Sequence, residues 1–286
     1  MHPYRSVLYM PGSNARALEK ARSLDADALI LDLEDAVAPD QKLAARGLVC
    51  EAVRAGGFGA RRVLIRINGA DTDWGADDLA AAIAAKPHGI LLPKVDDAED
   101  IARAAARLGD AEIGLWAMME TPLAILNAAR IAAAPGVQGL VMGTNDLVKD
   151  LGATPGATRS QIMTALSLCL LAARAHGVLC IDGVYNAFRD EGGLRAECLQ
   201  GRDMGFDGKT LIHPAQLAIA NEVFAPDPDQ LALAKRQIEA HAAALAAGTG
   251  VAVVDGKIVE NLHVVTAKNL LARAEMIAKR AKDAQG

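Results

Sequence analysis

The sequence has no long uninterrupted hydrophobic segment, although 52% of its 286 residues are hydrophobic. A membrane-spanning helix needs about 18 or more consecutive, mainly apolar residues, and no segment approaches that length. The first residues, MHPYRSVLYMPG, also lack the basic and apolar regions of a secretory signal peptide. We therefore expect a soluble protein with a large core, located in the cytoplasm and without a membrane partner.

Aromatic residues and excess positive charge are also scarce. Aromatic residues make up 3% of the chain, and the formal net charge at neutral pH is -5. Nucleic-acid binding requires a basic surface, and single-stranded nucleic acids also require aromatic side chains on which the bases stack. The composition therefore argues against a nucleic-acid partner. An anionic ligand would have to be bound by a few local basic residues.

Cysteine motifs and nucleophile motifs are missing as well. The four cysteines, Cys50, Cys169, Cys180 and Cys198, show no CxxC spacing, and each lies in an apolar or helical segment. Buried, reduced thiols are the expected state of such residues. No Gly-x-Ser-x-Gly motif is present, so the sequence does not support a Ser/His/Asp triad.

What the sequence does contain is a regular alternation of short apolar runs with longer, Ala-rich amphipathic segments. Eight runs are predicted as strands, at residues 6–10, 28–33, 62–67, 89–93, 112–119, 137–142, 178–181 and 209–212. Predicted helices between them include residues 15–23, 41–55, 98–108, 123–133, 159–176 and 194–204. This alternation predicts an α/β fold, a TIM (β/α)8 barrel with its active site at the C-terminal ends of the strands. An open doubly wound sheet is the structural alternative.

The barrel pattern ends at about residue 224, so we predict a catalytic barrel domain at 1–224 and a C-terminal helical lid at 225–286. A Pro-containing break at 225–228 precedes a predicted long helix at 230–247. A strand-like turn, VAVVDGKIVE, and a last helix at about 264–282 follow. This segment is too small to bury a full core of its own. We expect it to pack on a barrel or to contact a neighbouring subunit.

Two predicted strands end in carboxylates, Glu120 after the fifth and Asp146 after the sixth. Parallel strands place their ends on the same rim, so these side chains should lie next to each other. Carboxylates without a His or Cys partner favour Mg²⁺ or Mn²⁺ over zinc. Gly143 and Thr144 are expected to offer backbone N–H groups to an anion beside the metal. The alternative for either acid alone is a structural salt bridge.

Three further charged residues lie on the second and third predicted strands. Strand alternation places Asp32 and Glu34 on one face, which points into the barrel interior. Arg66 ends an apolar strand, and a buried guanidinium needs an anionic partner. That partner is either a substrate carboxylate or one of the strand-2 carboxylates, and the sequence leaves both open.

A pair of basic residues follows the first strand. Arg16 and Lys20 are four residues apart in a predicted helix, and therefore share one face. They could bind phosphate or carboxylate groups. A solvated basic surface is the alternative.

Seven ordered segments carry a family resemblance, namely RSVLYMPGSNARALEKA, ALILDLEDAVAPDQKLAAR, RIN, METP, GTNDLVKDLG, DGVYNAFRDEGGL and GFDGKTLIHPAQL. In this order they strongly resemble the citrate lyase β-subunit-like family of the HpcH/HpaI aldolase superfamily. Its members include malyl-CoA, β-methylmalyl-CoA and citramalyl-CoA lyases and a malyl-CoA thioesterase. The resemblance implies a TIM barrel, bound Mg²⁺, an acyl-CoA substrate and a 2-oxoacid. It also implies a homotrimer or hexamer in which the C-terminal segment covers the neighbour's active site.

The resemblance also assigns roles to individual residues. The family's metal ligands correspond to Glu120 and Asp146, and its substrate-binding arginine corresponds to Arg66. The residues that hold CoA correspond to Tyr9, Arg16 and Lys20, which favours ligand binding over a solvated surface for the last two. The backbone around Asn145, Thr210 and Leu211 is expected to contact ligand.

One position departs from the family pattern. Lyases of the family carry an aspartate that handles the proton on the acyl carbon, and here the corresponding block, GKIVEN, places Glu260 at that position. The main expectation is a Mg²⁺-dependent carbon–carbon lyase acting on a 3-hydroxyacyl-CoA, with Arg66 and Glu260 as catalytic residues. The longer side chain of Glu260 leaves hydrolysis of the thioester as the alternative. A citryl-ACP lyase β-subunit is a further alternative.

The sequence gives less support to two other functions, phosphoryl transfer and non-catalytic binding. The METP and GTNDL segments also resemble phosphoenolpyruvate-utilising barrels, but those need a phosphohistidine domain or partner, and no such domain fits in this chain. A non-catalytic binding protein would be expected to lack Glu120, Asp146 or Arg66, and all three are present.

Overall fold

The computed structural model describes residues 2–154, 156, 158–249 and 251–283. Eight parallel strands pair in sequential order, and the last pairs with the first to form a closed barrel. The strands are β1 (Ser6–Pro11), β2 (Ala28–Asp32), β3 (Arg62–Arg66), β4 (Gly89–Leu92), β5 (Gly114–Met119), β6 (Val137–Met142), β7 (Leu179–Asp182) and β8 (Gly208–Leu211). The predicted TIM barrel is therefore confirmed, and the open doubly wound sheet is wrong.

Helices connect the strands around the outside of the barrel. They are α1 (Ala15–Ala21), α2 (Lys42–Ala55), α3 (Gly75–Ala85), α4 (Ala98–Leu108), α5 (Pro122–Leu126), α6 (Ala128–Ala133), α7 (Thr144–Asp150), α8 (Met163–His176), α9 (Glu191–Met204) and α10 (Leu217–Val223). Short 3₁₀ helices at Pro39–Gln41, Ser160–Ile162 and Pro214–Gln216 precede α2, α8 and α10.

The helix prediction misses three elements and merges two others. The sequence pattern predicts no helix for α3, for α10 or for α7, which starts directly after β6 without a break in the sequence. The single helix predicted at 123–133 is two helices, because the chain leaves the helical conformation at Asn127. All eight strand predictions agree with the structure to within one or two residues at each end.

The barrel interior is packed with apolar side chains that alternate along the strands. On β2, Ala28 and Ile30 face this interior cluster, together with Leu64 of β3 and Trp116 of β5. Asp32 continues the interior-facing series of β2 at its C-terminal end, and its strand partner on β3 is Arg66. Strand alternation and register therefore bring the charged side chains of Asp32 and Arg66 to the C-terminal end of the apolar barrel interior.

The chain forms two compact units, one of residues Tyr4–Phe224 and one of the described residues of Met1–Pro3 and Ala225–Gly286. The smaller unit contains α11 (Pro228–Ala246), an antiparallel hairpin of β9 (Ala252–Val254) and β10 (Lys257–Val259), and α12 (Asn261–Asp283). Its small core includes Ala252, Val259 and Val264. The lid function and the subunit contact of this segment stay predictions.

Two expectations from composition can be compared with the structure directly. All four cysteines are buried and free, as predicted. Within the described ranges, no helix combines the length and the apolar character that crossing a membrane would require.

Candidate active site

A cavity of about 280 Å³ opens at the C-terminal ends of the barrel strands. Its lining includes Tyr9, Asp32, Arg66, Glu120, Asn145 and Asp146. These residues lie within four residues of the C-terminal ends of β1, β2, β3, β5 and β6. The closed barrel therefore gathers six of the charged and polar residues singled out in the sequence around one opening.

Glu120 and Asp146 meet at this opening through a third residue, Lys94. The Lys94 Nζ atom lies 2.8 Å from Asp146 Oδ2 and 3.7 Å from Glu120 Oε1. The backbone N–H of Lys94 also donates to Glu120 Oε1, at 2.8 Å. Both carboxylates thus lie within reach of one ammonium group, which confirms that they share a rim.

The surroundings shift the pKa values of these two acids in opposite directions. Burial raises the pKa of Glu120, and the hydrogen bond and positive charge from Lys94 only partly offset this effect. Burial also acts to raise the pKa of Asp146, but its hydrogen bond to Lys94 and the nearby positive charges lower the pKa below its ordinary value. Glu120 is 2% exposed and depends on cationic neighbours to remain ionised.

Gly143 allows the close approach of the two strand ends. A Cβ atom at this position would lie 2.3 Å from Glu120 Cβ and 2.8 Å from Glu120 Oε2. The backbone N–H of Gly143 donates to the carbonyl of Met119 at 3.1 Å. The expectation that Gly143 offers its N–H group to a ligand is therefore wrong, because this amide belongs to the barrel's strand pairing.

Arg66 is held by the carboxylates of the second strand and its loop. Arg66 Nε and Nη2 donate to the two Asp32 oxygens at 2.7 and 2.6 Å, and Nη1 lies 2.8 Å from Glu34 Oε2. The guanidinium carbon also lies 4.9 Å from the centre of the Tyr9 ring. Of the two partners left open by the sequence, the structure shows the strand-2 carboxylates.

Lys42 fixes the loop that carries Glu34 through three hydrogen bonds. Its Nζ donates to the carbonyl groups of Leu33 and Glu34, at 2.9 and 2.7 Å, and to Asn68 Oδ1 at 2.7 Å. Asn68 Nδ2 in turn donates to Asp78 Oδ2 at 2.6 Å. This buried chain of hydrogen bonds positions the loop between β2 and α2 at the edge of the cavity.

Burial perturbs two further groups beside Arg66. Burial raises the pKa of Glu34 to about 7, although Arg66 acts in the opposite direction. Burial also raises the pKa of Tyr9, whose hydroxyl contacts Met118 Sδ at 3.5 Å. Tyr9 is therefore neutral near pH 7, whereas Glu34 lies close to the midpoint of its titration.

The structure places the predicted ligand-binding residues in different environments. Asn145 lines the cavity and exchanges side-chain hydrogen bonds with Asn186, at 2.7 and 3.3 Å. Arg16 and Lys20 are exposed on α1. Thr210 and Leu211 are buried within β8, and the cavity lining includes the next residue, Ile212.

Glu260 belongs to the smaller unit, where it follows β10 and is exposed. Its backbone N–H donates to His263 Nδ1 at 3.0 Å, which stabilises the turn into α12. The catalytic role assigned to Glu260 by resemblance stays a prediction.

Lys94 lies at the site although the sequence pattern does not single it out. It is the second residue after β4, and β4 lies between β3, which ends in Arg66, and β5, which Glu120 follows. A basic residue at that end of a barrel strand is the signal that could have found it. The sequence alone does not distinguish Lys94 from a surface residue, because a single lysine after a strand usually lies on the surface.

A model of the HpcH/HpaI aldolase/citrate lyase family matches residues 5–214, which include the whole cavity lining. The chain belongs to this family. A (3S)-malyl-CoA thioesterase from Cereibacter sphaeroides is 61% identical over 97% of this chain and 96% of the relative. Citrate lyase subunit beta of Escherichia coli is 34% identical over 95% of this chain and 93% of the relative.

Solved structures of the family show the same fold. Protein CitE from Mycobacterium tuberculosis, in complex with magnesium, acetoacetate and coenzyme A, superposes with a TM-score of 0.79. It is 31% identical, and the match covers 96% of this chain and 98% of that chain. The resemblance stated from the sequence is confirmed, and a solved relative binds magnesium.

The carboxylate pair of this chain fits a magnesium ion. Glu120 and Asp146 line the same cavity, and among the described residues no group of three or more His, Cys, Asp or Glu side chains is arranged to hold a metal. Mg²⁺ commonly uses one or two carboxylates and completes its coordination with water and substrate oxygens. Lys94 Nζ, which contacts both carboxylates, shows that their oxygens accept a cation.

Proposed function

We propose that this protein is a Mg²⁺-dependent thioesterase that hydrolyses malyl-CoA, or a closely related 3-hydroxyacyl-CoA, to CoA and the free acid. The observation that carries the proposal is the 61% identity to a (3S)-malyl-CoA thioesterase over almost the whole chain. The site supports it, because one cavity is lined by a carboxylate pair and an arginine, and that arginine contacts Glu34, a carboxyl group with a pKa of about 7.

In this proposal Glu120 and Asp146 hold Mg²⁺. When bound, the ion supplies Lewis acidity to an oxygen of the substrate. Mn²⁺ is a possible substitute, because it prefers the same oxygen ligands. Arg66, oriented by Asp32, offsets negative charge on the acyl group.

Glu34 is our candidate general base. A base works best when its pKa lies near the operating pH, and burial brings the pKa of Glu34 to about 7. It would take a proton from the water that attacks the thioester carbonyl. The new C–O bond forms, the C–S bond breaks, and the CoA thiolate leaves and is protonated.

The CoA portion would extend along the rim toward α1. We assign its contacts to Tyr9, Arg16 and Lys20, and we assign further ligand contacts to the backbone around Asn145, Thr210 and Leu211, as the family resemblance implies. The exposed cationic groups of Arg16 and Lys20 suit phosphate groups.

The test uses purified protein, malyl-CoA and Mg²⁺, with separate assays for free thiol and for glyoxylate. Hydrolysis releases thiol and malate without glyoxylate. Glu120→Gln should reduce the rate by roughly 100-fold or more, because a metal ligand is lost. Glu112→Gln is the matched control, since Glu112 is exposed and precedes β5 at its other end. Glyoxylate and acetyl-CoA as the main products would contradict the thioesterase proposal.

The second candidate is the carbon–carbon lyase reaction. It is supported by the 34% identity to a citrate lyase β-subunit over 95% of the chain. In that reaction Glu260, supplied by an adjacent subunit, would protonate the acyl-CoA enolate. The citryl-ACP variant needs acyl-carrier and α-subunit partners, which a pull-down with this chain would detect.

Assembly and location remain predictions. Light scattering coupled to gel filtration would distinguish the expected trimer from the hexamer. Fractionation of cells that express the full chain would test the cytoplasmic location.

A further inference from the structure

We propose that Lys94 is an internal counter-ion of Glu120 and Asp146 that competes with the divalent cation and thereby lowers its affinity. This inference rests on the proposed metal site and adds a residue that tunes it. Lys94 acts through the carboxylates and not on the substrate, so it is a positioning residue.

The contacts of Lys94 use the same oxygen atoms that a metal would use. Its Nζ lies 2.8 Å from Asp146 Oδ2 and 3.7 Å from Glu120 Oε1. Its backbone N–H donates to Glu120 Oε1 as well, at 2.8 Å. If an ammonium group and a divalent cation contact these oxygens at the same time, the two cations repel each other at short distance, which weakens the binding of both.

The backbone of Lys94 is arranged for this double contact. Its φ angle is +51°, in the left-handed region that a residue with a Cβ rarely adopts. Such a conformation persists where surrounding interactions favour it. Here the backbone N–H and the side chain of one residue both reach the carboxylate pair.

Lys94 also has room to withdraw. Its side chain is 41% exposed, and it lines a second cavity of about 790 Å³ between α3 and α4. Asp71 and Asp96 line the same cavity, whereas Asp100 there already pairs with Arg103, and Arg107 adds a further positive charge. The ammonium group can therefore leave the carboxylate pair for a space that contains water-accessible carboxylates.

Removing the charge of Lys94 should lower the stability of the metal-free protein and raise its affinity for Mg²⁺. Without the Lys94 charge, the two carboxylates repel each other, so the protein in chelator should be less stable. The same loss removes a competitor, so Mg²⁺ should bind more tightly.

The experiment compares Lys94→Met with Lys86→Met. Lys86 is a matched control because it also has a left-handed backbone, with φ +58°, and it is exposed and precedes β4 at its other end. Mg²⁺ affinity is measured by calorimetry, and the melting temperature is measured in EDTA and in excess Mg²⁺.

Lys94→Met should bind Mg²⁺ roughly ten-fold more tightly than wild type, since a unit charge about 4 Å away is removed. Its melting temperature should fall in EDTA and recover in Mg²⁺, and Lys86→Met should match wild type in both.

Two other variants separate failure of this inference from failure of the metal site. Unchanged or weaker Mg²⁺ binding in Lys94→Met, while Glu120→Gln loses binding, overturns the role of Lys94 alone. Wild-type affinity in Glu120→Gln overturns the metal site and this inference with it. Lys94→Gln keeps a polar side chain without the charge and should show the same tighter binding if Lys94→Met does not fold.

Discussion

Arg66 donates hydrogen bonds from Nε and Nη2 to the two carboxylate oxygens of Asp32, at 2.7 and 2.6 Å, across neighbouring strands of the barrel. Both side chains are almost fully buried. This two-point contact fixes the plane and direction of the guanidinium group, and it leaves Nη1 for Glu34 at the edge of the cavity.

Replacing Asp32 should therefore destabilise the protein strongly. In Asp32→Asn the buried Arg66 loses its two-point charged partner and keeps the contact with Glu34, and we expect a loss of about 3–5 kcal/mol in the free energy of unfolding. Urea denaturation measures it. Glu222→Gln is the control, because the Arg195–Glu222 pair is also two-pronged but exposed, and should change stability little. Equal effects of the two substitutions would contradict this account.

Glu34 should make the stability depend on pH near neutrality. Its pKa is about 7 in the folded protein against 4.5 for the ordinary group, so between these values the folded state holds a proton that the unfolded chain has lost. The contribution of Glu34 to stability therefore falls as pH rises through this window, by on the order of 3 kcal/mol in total.

Glu34→Gln removes that dependence. Relative to wild type, its free energy of unfolding should rise between about pH 5 and about pH 8, as measured by denaturation at both ends of the range. A constant difference between the two proteins across this range would show that Glu34 does not titrate there.

Gly143→Ala should disturb the carboxylate pair. The new Cβ would lie 2.3 Å from Glu120 Cβ, so Glu120 must shift. We expect a loss of about 1–3 kcal/mol in stability and weaker Mg²⁺ binding by calorimetry. Gly47→Ala, in the exposed part of α2, is the control, because its Cβ would meet nothing within 4 Å. That change should be neutral or stabilising by about 0.5–1 kcal/mol. Wild-type Mg²⁺ affinity in Gly143→Ala would argue against a tightly packed metal site.

A buried ion network beside β7 should govern acid stability. Asp182 accepts hydrogen bonds from Arg159 Nη1 and Lys209 Nζ, at 2.7 and 3.0 Å, and Asp182 and Lys209 are fully buried. Burial acts to raise the pKa of Asp182, but Lys209 and Arg159 together lower it below its ordinary value. Its contribution to stability is therefore present above the ordinary pKa of about 3.9 and is lost as pH falls through the lower, folded value.

Asp182→Asn should cost about 3–5 kcal/mol near pH 7, because two buried cations lose their fully buried carboxylate and share only Glu197. The difference from wild type should shrink below about pH 4, which acid-unfolding curves would measure. Asp203→Asn, which removes an exposed partner of Arg202, should leave these curves unchanged. If the difference in free energy of unfolding between Asp182→Asn and wild type stayed the same below about pH 4, Asp182 would not be the group that governs acid stability.

Much of the barrel could be predicted because its signal is local. Apolar runs such as 137–142 and their Ala-rich connections repeat along the chain, and the ends of β5 and β6 were located well enough to place Glu120 and Asp146 on one rim. Short helices were harder, because α7 has seven residues and begins at a functional turn.

Sequence patterns are enough to predict the barrel, the family and the positions of the acidic residues, because strand alternation and ordered motifs depend on neighbouring positions in the chain. Which charges contact one another becomes visible only in the folded barrel. Strand register pairs Arg66 with Asp32, and the backbone of Lys94 brings its ammonium group to Glu120 and Asp146. Such partnerships depend on distances between strands and on burial, and neither is encoded in the spacing of residues along one segment.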